Sequence, residues 1–261
     1  MNDPIQRLLA VMARLRDPEH GCPWDREQTW SSIVPHTLEE AYEVADAVRR
    51  NDPDAVRDEL GDLLFQVVFQ ARIAEEGGHF TFDDIAATIA DKLERRHPHV
   101  FAGESIADAA EQTRAWERHK AAERAARGEA AGVLDGVTLG LPALTRAAKL
   151  GSRAARVGFD WTDAAGVREK VAEELAEFDA ARASGDVDHA REELGDLLFS
   201  LAQIARHLGV DPEGALRDAN AKFERRFRSM EGAASAEGRP FEGRTLEELE
   251  ALWVAAKRDA G

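Results

Sequence analysis

The chain has 261 residues, of which 44% are apolar, which is enough for one large core or two modest ones and too apolar for a disordered protein. The 34 basic and 50 acidic residues leave a net charge of −16, which would repel a nucleic-acid backbone over most of the surface. We therefore expect no stable nucleic-acid binding. A small phosphorylated ligand is compatible with this charge only where Lys, Arg or metal ions outweigh the surrounding acids.

The N-terminal segment, residues 1–16, predicts a helix of the mature protein, because arginines interrupt its apolar positions and no cleavage site follows. No run approaches the roughly 18 uninterrupted apolar residues of a membrane span. Cys22 is the single cysteine and has no zinc-type spacing around it, which excludes an intramolecular disulfide and favours a reducing compartment. These features predict a cytoplasmic protein without membrane association.

Helical periodicity dominates the chain, and strand signals are scarce. Apolar residues recur at three- and four-residue intervals in four segments, residues 38–48, 55–74, 171–181 and 190–208. The turns between the paired segments are formed by Asn51-Asp52-Pro53 and by Ser184-Gly185-Asp186. The sequence therefore predicts an all-α protein that contains two helical hairpins.

The second hairpin repeats the first. Glu40-Ala-Tyr-Glu43 and Glu59-Leu-Gly-Asp62 return, with the same separation, as Glu174-Leu-Ala-Glu177 and Glu193-Leu-Gly-Asp196. Further along, Lys92-Leu-Glu-Arg95-Arg96 returns as Lys222-Phe-Glu-Arg225-Arg226, and Trp116 with Lys120 returns as Trp253 with Lys257. Such a repeat indicates an internal duplication.

We expect tandem helical-hairpin bundles, one domain over residues 1–124 and a second over residues 138–261. A linker over residues 125–137 is expected between them, because its Ala, Arg, Glu and Gly residues offer no coherent apolar face.

The repeated acids predict a metal site in each hairpin. Residues three apart share a helical face, so Glu40 pairs with Glu43 and Glu59 with Asp62, and the two pairs lie at similar heights on either side of the turn. The second copy repeats this geometry with Glu174, Glu177, Glu193 and Asp196. Four carboxylates beside strongly apolar positions would repel one another unless a cation neutralised them. The oxygen-only ligand set favours Mg2+, with Mn2+ as the alternative, over zinc or a di-iron centre.

Simpler interpretations exist for each motif. A single Glu-x-x-Glu is more often a solvated helix face, whereas two such motifs that face each other and are repeated favour a metal site. The basic segment could pair with surface acids or neutralise phosphates, and Trp116 and Trp253 could be core aromatics or could stack on a base. Gly61 and Gly195 are expected to let another helix approach closely.

Taken together, Gly21-Cys-Pro-Trp-Asp25, the acidic sets, Val157-Gly-Phe-Asp-Trp161 and the basic segment resemble the full-length, two-domain form of the MazG family of nucleoside triphosphate pyrophosphohydrolases. The resemblance covers nearly the whole chain. It implies the all-α NTP pyrophosphatase fold, a homodimer, and Mg2+-dependent hydrolysis of standard or aberrant NTPs and dNTPs to monophosphate and pyrophosphate, as housekeeping of the nucleotide pool. It also implies that the C-terminal copy is the principal catalytic one.

By motif position, the resemblance implies that Mg2+ is held by Glu174, Glu177, Glu193 and Asp196. It implies that the nucleotide is contacted by Lys170, Lys222, Arg225 or Arg226, Trp253 and Lys257. The N-terminal copy keeps Glu40, Glu43, Glu59 and Asp62, so a loss of activity there could not be due to missing ligands.

The expected reaction is attack of a metal-activated water on the triphosphate, with Glu173 or Glu193 as the general base. Two other functions are left open by the sequence. A nucleotide-sensing or partner-binding module would bind nucleotide without turnover, and a phosphatase would release orthophosphate.

Overall fold

The protein is described by a computed structural model over residues 3–103, 105–108, 111–112, 115–116, 119, 123 and 132–259. This part of the chain contains eleven helices and no strand, so the all-α prediction is confirmed. None of these helices is long and apolar enough to span a membrane. The chain divides into two compact units, Met1–Glu123 and Arg124–Gly261. The predicted linker lies outside the described residues except for 132–137, and it stays a prediction.

The N-terminal unit is built around the first hairpin. Its helices are α1 (Pro4–Leu15), α2 (Pro23–Glu27), α3 (Trp30–Arg50), α4 (Pro53–Glu76), α5 (Phe82–Arg96) and α6 (Pro98–Phe101). Helices α3 and α4 pair along their length, and α1 packs on α4. The core between them contains Met12, Ile33, Val68 and Phe69, none of them more than 1% exposed. Burial of such side chains contributes about 1.5–3 kcal/mol each, so packing of α1 on α4 is a main source of stability for this unit.

The C-terminal unit repeats this plan. Its helices are α7 (Ala143–Ala155), α8 (Ala164–Ser184), α9 (Val187–His207), α10 (Pro212–Ala236) and α11 (Leu246–Asp259). Helices α8 and α9 form the second hairpin, α7 packs on α9, and α10 contacts α7, α9 and α11. The predicted hairpin helices are thus confirmed in both copies.

The two hairpin turns use the same backbone conformation. Asn51 and Gly185 end the first helix of each hairpin in the left-handed region, with φ of 54° and 78°. Asp52 and Asp186 then begin the second helix, and each side chain accepts a hydrogen bond from a backbone N–H of the first turn. Turns of equal length and similar conformation set the same register between the facing helices, so both copies present their acids at the same height.

At one pair of equivalent core positions an apolar side chain is replaced by a polar one: Phe69 in the first unit corresponds to Gln203 in the second. Gln203 is fully buried; its Nε2 donates to the carbonyl of Ala147 at 2.9 Å, and its Oε1 accepts from Arg206 Nε at 2.8 Å. A Cβ at Gly151 would lie 1.8 Å from that Oε1. Helix α7 therefore approaches α9 closely through a satisfied polar contact.

Three leucines beside the acidic pairs are exposed in the single chain. Leu60 is 48% exposed, Leu194 43% and Leu198 45%. A Cβ at Gly61 or Gly195 would meet nothing within 4 Å in the described chain. The expected close approach of a helix at these glycines is therefore wrong within one chain. An apolar stripe beside each acidic set is left open to solvent.

Candidate active site

Each hairpin brings three of its four predicted metal ligands together. Carboxylate oxygens of Glu40, Glu43 and Glu59 all lie within 4.8 Å of one another, and those of Glu174, Glu177 and Glu193 do the same. The first two acids of each cluster lie one turn apart on one helix, and the third faces them from the paired helix. Three converging carboxylates are oxygen donors of the kind that Mg2+ takes in proteins.

Asp62 and Asp196 lie outside these three-residue clusters. Both are exposed, and each follows the third glutamate of its cluster by one helical turn. The charge of Asp62 nevertheless reaches the N-terminal cluster, where it raises the pKa of Glu40 and Glu59. The predicted ligand roles of the two aspartates stay predictions.

Burial and mutual repulsion raise the pKa of two carboxyls in the N-terminal cluster. For Glu40 the causes are partial burial and then the charges of Asp62 and Glu43. For Glu59 they are partial burial and then the charges of Glu43 and Asp62. A raised pKa means that the folded protein disfavours the ionised carboxylate. A divalent cation between these groups would remove that penalty.

The C-terminal cluster has a lysine bound to its most buried member. Lys170 Nζ lies 2.7 Å from a carboxylate oxygen of Glu173 and 2.7 Å from one of Glu174. These hydrogen bonds raise the pKa of Lys170. Because the Glu174 side chain is only 6% exposed, its charge needs such a partner when no other cation is near. At the equivalent N-terminal position stands His36, whose Nδ1 lies 3.6 Å from Glu39.

The two candidate bases are placed differently. Glu193 belongs to the carboxylate cluster, and its Oε1 lies 3.0 Å from Nε2 of His189. Glu173 is exposed and lies outside the cluster, hydrogen-bonded to Lys170. Sequence reasoning missed His189, although its position four residues before Glu193 on a predicted helix was an available signal.

Two of the predicted nucleotide contacts lie beside a third, the indole of Trp253 on α11. The guanidinium of Arg226 lies 5.9 Å from the Trp253 ring centroid, and Lys257 Nζ lies 5.6 Å from it. The ring of Phe223 packs against the same indole at 5.4 Å. Two cations and a partly buried aromatic surface therefore lie side by side. The other predicted contacts are Lys170 on α8 and the exposed Lys222 and Arg225 on α10.

The equivalent N-terminal side chains have an acidic partner. Arg96 lies 5.1 Å from the Trp116 ring centroid, which repeats the C-terminal arrangement. The carboxylate of Glu123, however, accepts hydrogen bonds from both Arg95, at 2.7 Å, and Arg96. These arginines, Arg96 first, lower the pKa of Glu123 to about 2. Lys120, the fourth member of this set, lies outside the described residues.

The loop that precedes each hairpin is attached in a different way. In the C-terminal unit, Asp160 accepts hydrogen bonds from Arg206 and His207 on α9, which lower the pKa of Asp160 to about 2. In the N-terminal unit, Arg16, which directly follows α1, donates to the backbone carbonyls of Asp25 and Gln28. Both attachments position the start of the hairpin's first helix.

Comparison with known proteins identifies the family. Two segments of the chain, residues 28–101 and 164–230, match the MazG nucleotide pyrophosphohydrolase domain. The chain is 53% identical over 256 residues to the nucleoside triphosphate pyrophosphohydrolase of Escherichia coli strain K12, with 97% of each chain covered. The chain belongs to the MazG family. The predicted family and its hydrolase class are therefore confirmed.

Two further relatives also match nearly the whole chain. The nucleoside triphosphate pyrophosphohydrolase/pyrophosphatase MazG of Thermotoga maritima is 43% identical over 253 residues, which are 97% of this chain and 95% of that protein. The uncharacterized protein YabN of Bacillus subtilis is 41% identical over 249 residues, but these are only 50% of its length. The two MazG segments begin in or just before α3 and α8, so each contains one acidic hairpin.

Proposed function

We propose that this MazG-family protein hydrolyses nucleoside triphosphates, standard or aberrant, to nucleoside monophosphate and pyrophosphate, with Mg2+ as cofactor and Mn2+ as a substitute. The reaction takes place at the C-terminal copy and serves housekeeping of the nucleotide pool. The observation that carries the proposal is the convergence of Glu174, Glu177 and Glu193 within 4.8 Å, beside Lys170. The printed names of the E. coli and T. maritima relatives support the reaction class.

The donor set fits the proposed metal. Glu174, Glu177 and Glu193 would hold Mg2+, and Asp196 would complete the set from the next turn of α9. When bound, the ion would neutralise phosphate oxygens and lower the pKa of a water molecule. Lys170, whose Nζ lies 2.7 Å from Glu174, compensates the charge of this buried ligand.

Glu173 is the better of the two candidate bases. A general base needs a lone pair that is not bound to the metal. Glu173 lies outside the carboxylate cluster, whereas Glu193 is part of it. Lys170, which contacts Glu173 at 2.7 Å, orients that carboxylate. Glu173 would take the proton of the attacking water, while Glu193 and its neighbour His189 shape the metal side of the site.

The basic side chains of α10 and α11 suit the leaving group and the base. Lys222, Arg225 and Arg226 would neutralise the charge that develops on pyrophosphate. Trp253, flanked by Arg226 and Lys257, offers an aromatic surface on which a nucleobase could stack.

A homodimer would cover the apolar stripe that the single chain exposes. Leu194 and Leu198 lie one turn apart on α9 beside the C-terminal acidic set, and neighbouring exposed leucines of this kind mark protein interfaces. Leu60 is the equivalent of Leu194 in the N-terminal copy. We expect Leu198→Glu to convert the dimer to a monomer with helicity retained, as measured by light scattering and circular dichroism. Leu208→Glu, at a position 64% exposed just beyond α9, is the matched control. A wild-type monomer would overturn the dimer.

The test of the activity is a product assay on a panel of NTPs and dNTPs with and without Mg2+, resolved by anion exchange. We expect monophosphate and pyrophosphate in equal amounts, and only with the metal. Glu174→Ala and Asp196→Ala should abolish turnover with the fold intact. Orthophosphate as the product would indicate a phosphatase, and binding without turnover would indicate a sensing module.

A further inference from the structure

The basic segment of the N-terminal copy is bound by a carboxylate of its own chain, that of Glu123. Oε1 of Glu123 lies 2.7 Å from Arg95 and 3.1 Å from Arg96 Nε, and its Oε2 accepts from the terminal nitrogen of Arg96. In the C-terminal copy, Nε of Arg226 is buried and has no hydrogen-bond partner among the described residues. The same atom of the repeat is thus satisfied in one copy and unsatisfied in the other.

The sequence explains why only one copy has this carboxylate partner. The repeat aligns Trp116 with Trp253, and the same alignment places Glu123 opposite Ala260. The C-terminal copy therefore has no carboxylate at this position of the repeat. Among the described residues, the ion pair between this glutamate and the arginines of the basic segment is found only in the N-terminal copy.

A carboxylate bound to two guanidinium groups uses the donors that would bind phosphate oxygens. Arginine presents its N–H groups in a planar fork that fits either anion, so the two ligands compete for the same atoms. The side chains of Arg96 and Glu123 are only 10% and 16% exposed, so water screens the pair less than it would an ion pair on the surface. Because the pKa of Glu123 is lowered to about 2, neutral pH does not release it.

We propose that the N-terminal copy is a polyphosphate-binding site closed by its own chain, in which the carboxylate of Glu123 takes the place of a phosphate group on Arg95 and Arg96. The inference rests on the proposed function for the class of ligand, the polyphosphate chain of a nucleotide. Both copies carry the same carboxylates and arginines. On this proposal, the N-terminal copy could bind polyphosphate if Glu123 did not occupy its arginines.

The test removes the internal anion and measures a new binding event. The full-length chain first receives Lys222→Ala and Lys257→Ala, which weaken the C-terminal cation set. Titration of this background with Mg2+ and inorganic tripolyphosphate is followed by calorimetry. Adding Glu123→Gln should give one further site per chain that binds at least about tenfold tighter than the background. Adding Arg96→Ala should remove that site.

Glu75→Gln is the matched control, because Glu75 pairs with Arg72 in the same unit at 3.0 Å and the change in charge is identical. It should add no binding. If Glu123→Gln does not fold, Glu123→Met removes the charge with a side chain of similar length. The inference is overturned if folded Glu123 variants bind like the background, or if the gained site persists in Arg96→Ala.

Failure of this inference and failure of the proposed function give different results. Wild-type turnover together with no gain in the Glu123 variants would overturn the inference alone. No wild-type turnover would overturn the proposed function, whereas tripolyphosphate binding, which needs no hydrolysis, would still report whether Glu123 closes the N-terminal copy.

Discussion

In the N-terminal hairpin, Glu40, Glu43 and Glu59 face one another, and His36 lies one turn before Glu40 on the same helix. The C-terminal hairpin repeats the carboxylates but replaces the histidine with Lys170, which contacts the buried Glu174. In the basic segments, the additional charged partner belongs to the N-terminal copy, because an acid binds its arginines. The comparison teaches that the ligands themselves do not distinguish the two copies. The charges that lie against those ligands, and against the arginines, do.

The largest expected effect comes from removing one carboxylate from each cluster in turn. Glu174→Gln should lower kcat/KM for triphosphate hydrolysis about 1,000-fold, because it removes a buried ligand of the metal. The matched Glu40→Gln should change it by less than about twofold. Steady-state release of pyrophosphate at saturating Mg2+ measures both. Equal losses would show that both copies catalyse and would end the distinction between them.

A smaller effect, on the free energy of unfolding, distinguishes the ways in which the loops before the two hairpins are attached. Asp160→Asn should lower the free energy of unfolding by about 2 kcal/mol at neutral pH, because Arg206 and His207 lose a charged acceptor. The pKa of Asp160 in the folded protein, about 2, lies below the usual 3.8. The stabilisation is therefore fully present at pH values above 3.8 and is lost as the pH falls towards 2. The difference from wild type should therefore shrink between about pH 4 and about pH 2.

Urea denaturation at several pH values measures this difference. Asp54→Asn, which breaks an exposed pair with Arg57, should change stability by less than about 0.5 kcal/mol. In the N-terminal unit, Arg16 donates to backbone carbonyls, which do not titrate, and also to the carboxylate of Glu76. A difference for Asp160→Asn that is independent of pH would argue against the attachment through its carboxylate.

The smallest effect concerns the lysine that distinguishes the C-terminal cluster. Lys170→His, which installs the residue of the N-terminal copy, should lower kcat about tenfold. The deficit should narrow as pH falls from about 8 to about 6, because imidazolium restores the positive charge. Lys170→Arg should retain most of the activity, and His36→Lys should leave it unchanged. If the loss of kcat in Lys170→His does not depend on pH, the shape of the lysine side chain matters more than its charge.

Helices, turns and facing acids could be predicted because they depend on local spacing. Apolar periodicity located the four hairpin helices, and the turns at Asn51 and Gly185 fixed which residues face each other. Helical spacing then placed Glu174 with Glu177, and the length of the loop placed Glu193 opposite them.

Partners distant in the sequence could not be predicted in this way. The pairs between Glu123 and Arg96 and between Asp160 and Arg206 depend on how helices pack, which no short-range pattern encodes. The exposure of Leu60 was missed for a related reason. An apolar position indicates burial but does not say whether its own chain provides the cover.

A chain that carries the same hairpin twice can pair helices from different copies while it folds. The contact between α9 and α7 opposes this error. If α9 packed on α1 instead, Gln203 would enter the apolar core around Met12 and lose its hydrogen bonds to Ala147 and Arg206. If α4 packed on α7, Phe69 would meet the space that Gly151 keeps open for an amide. One buried amide would therefore make mispaired intermediates less stable than correctly paired ones, and would protect the fidelity of folding in a duplicated protein.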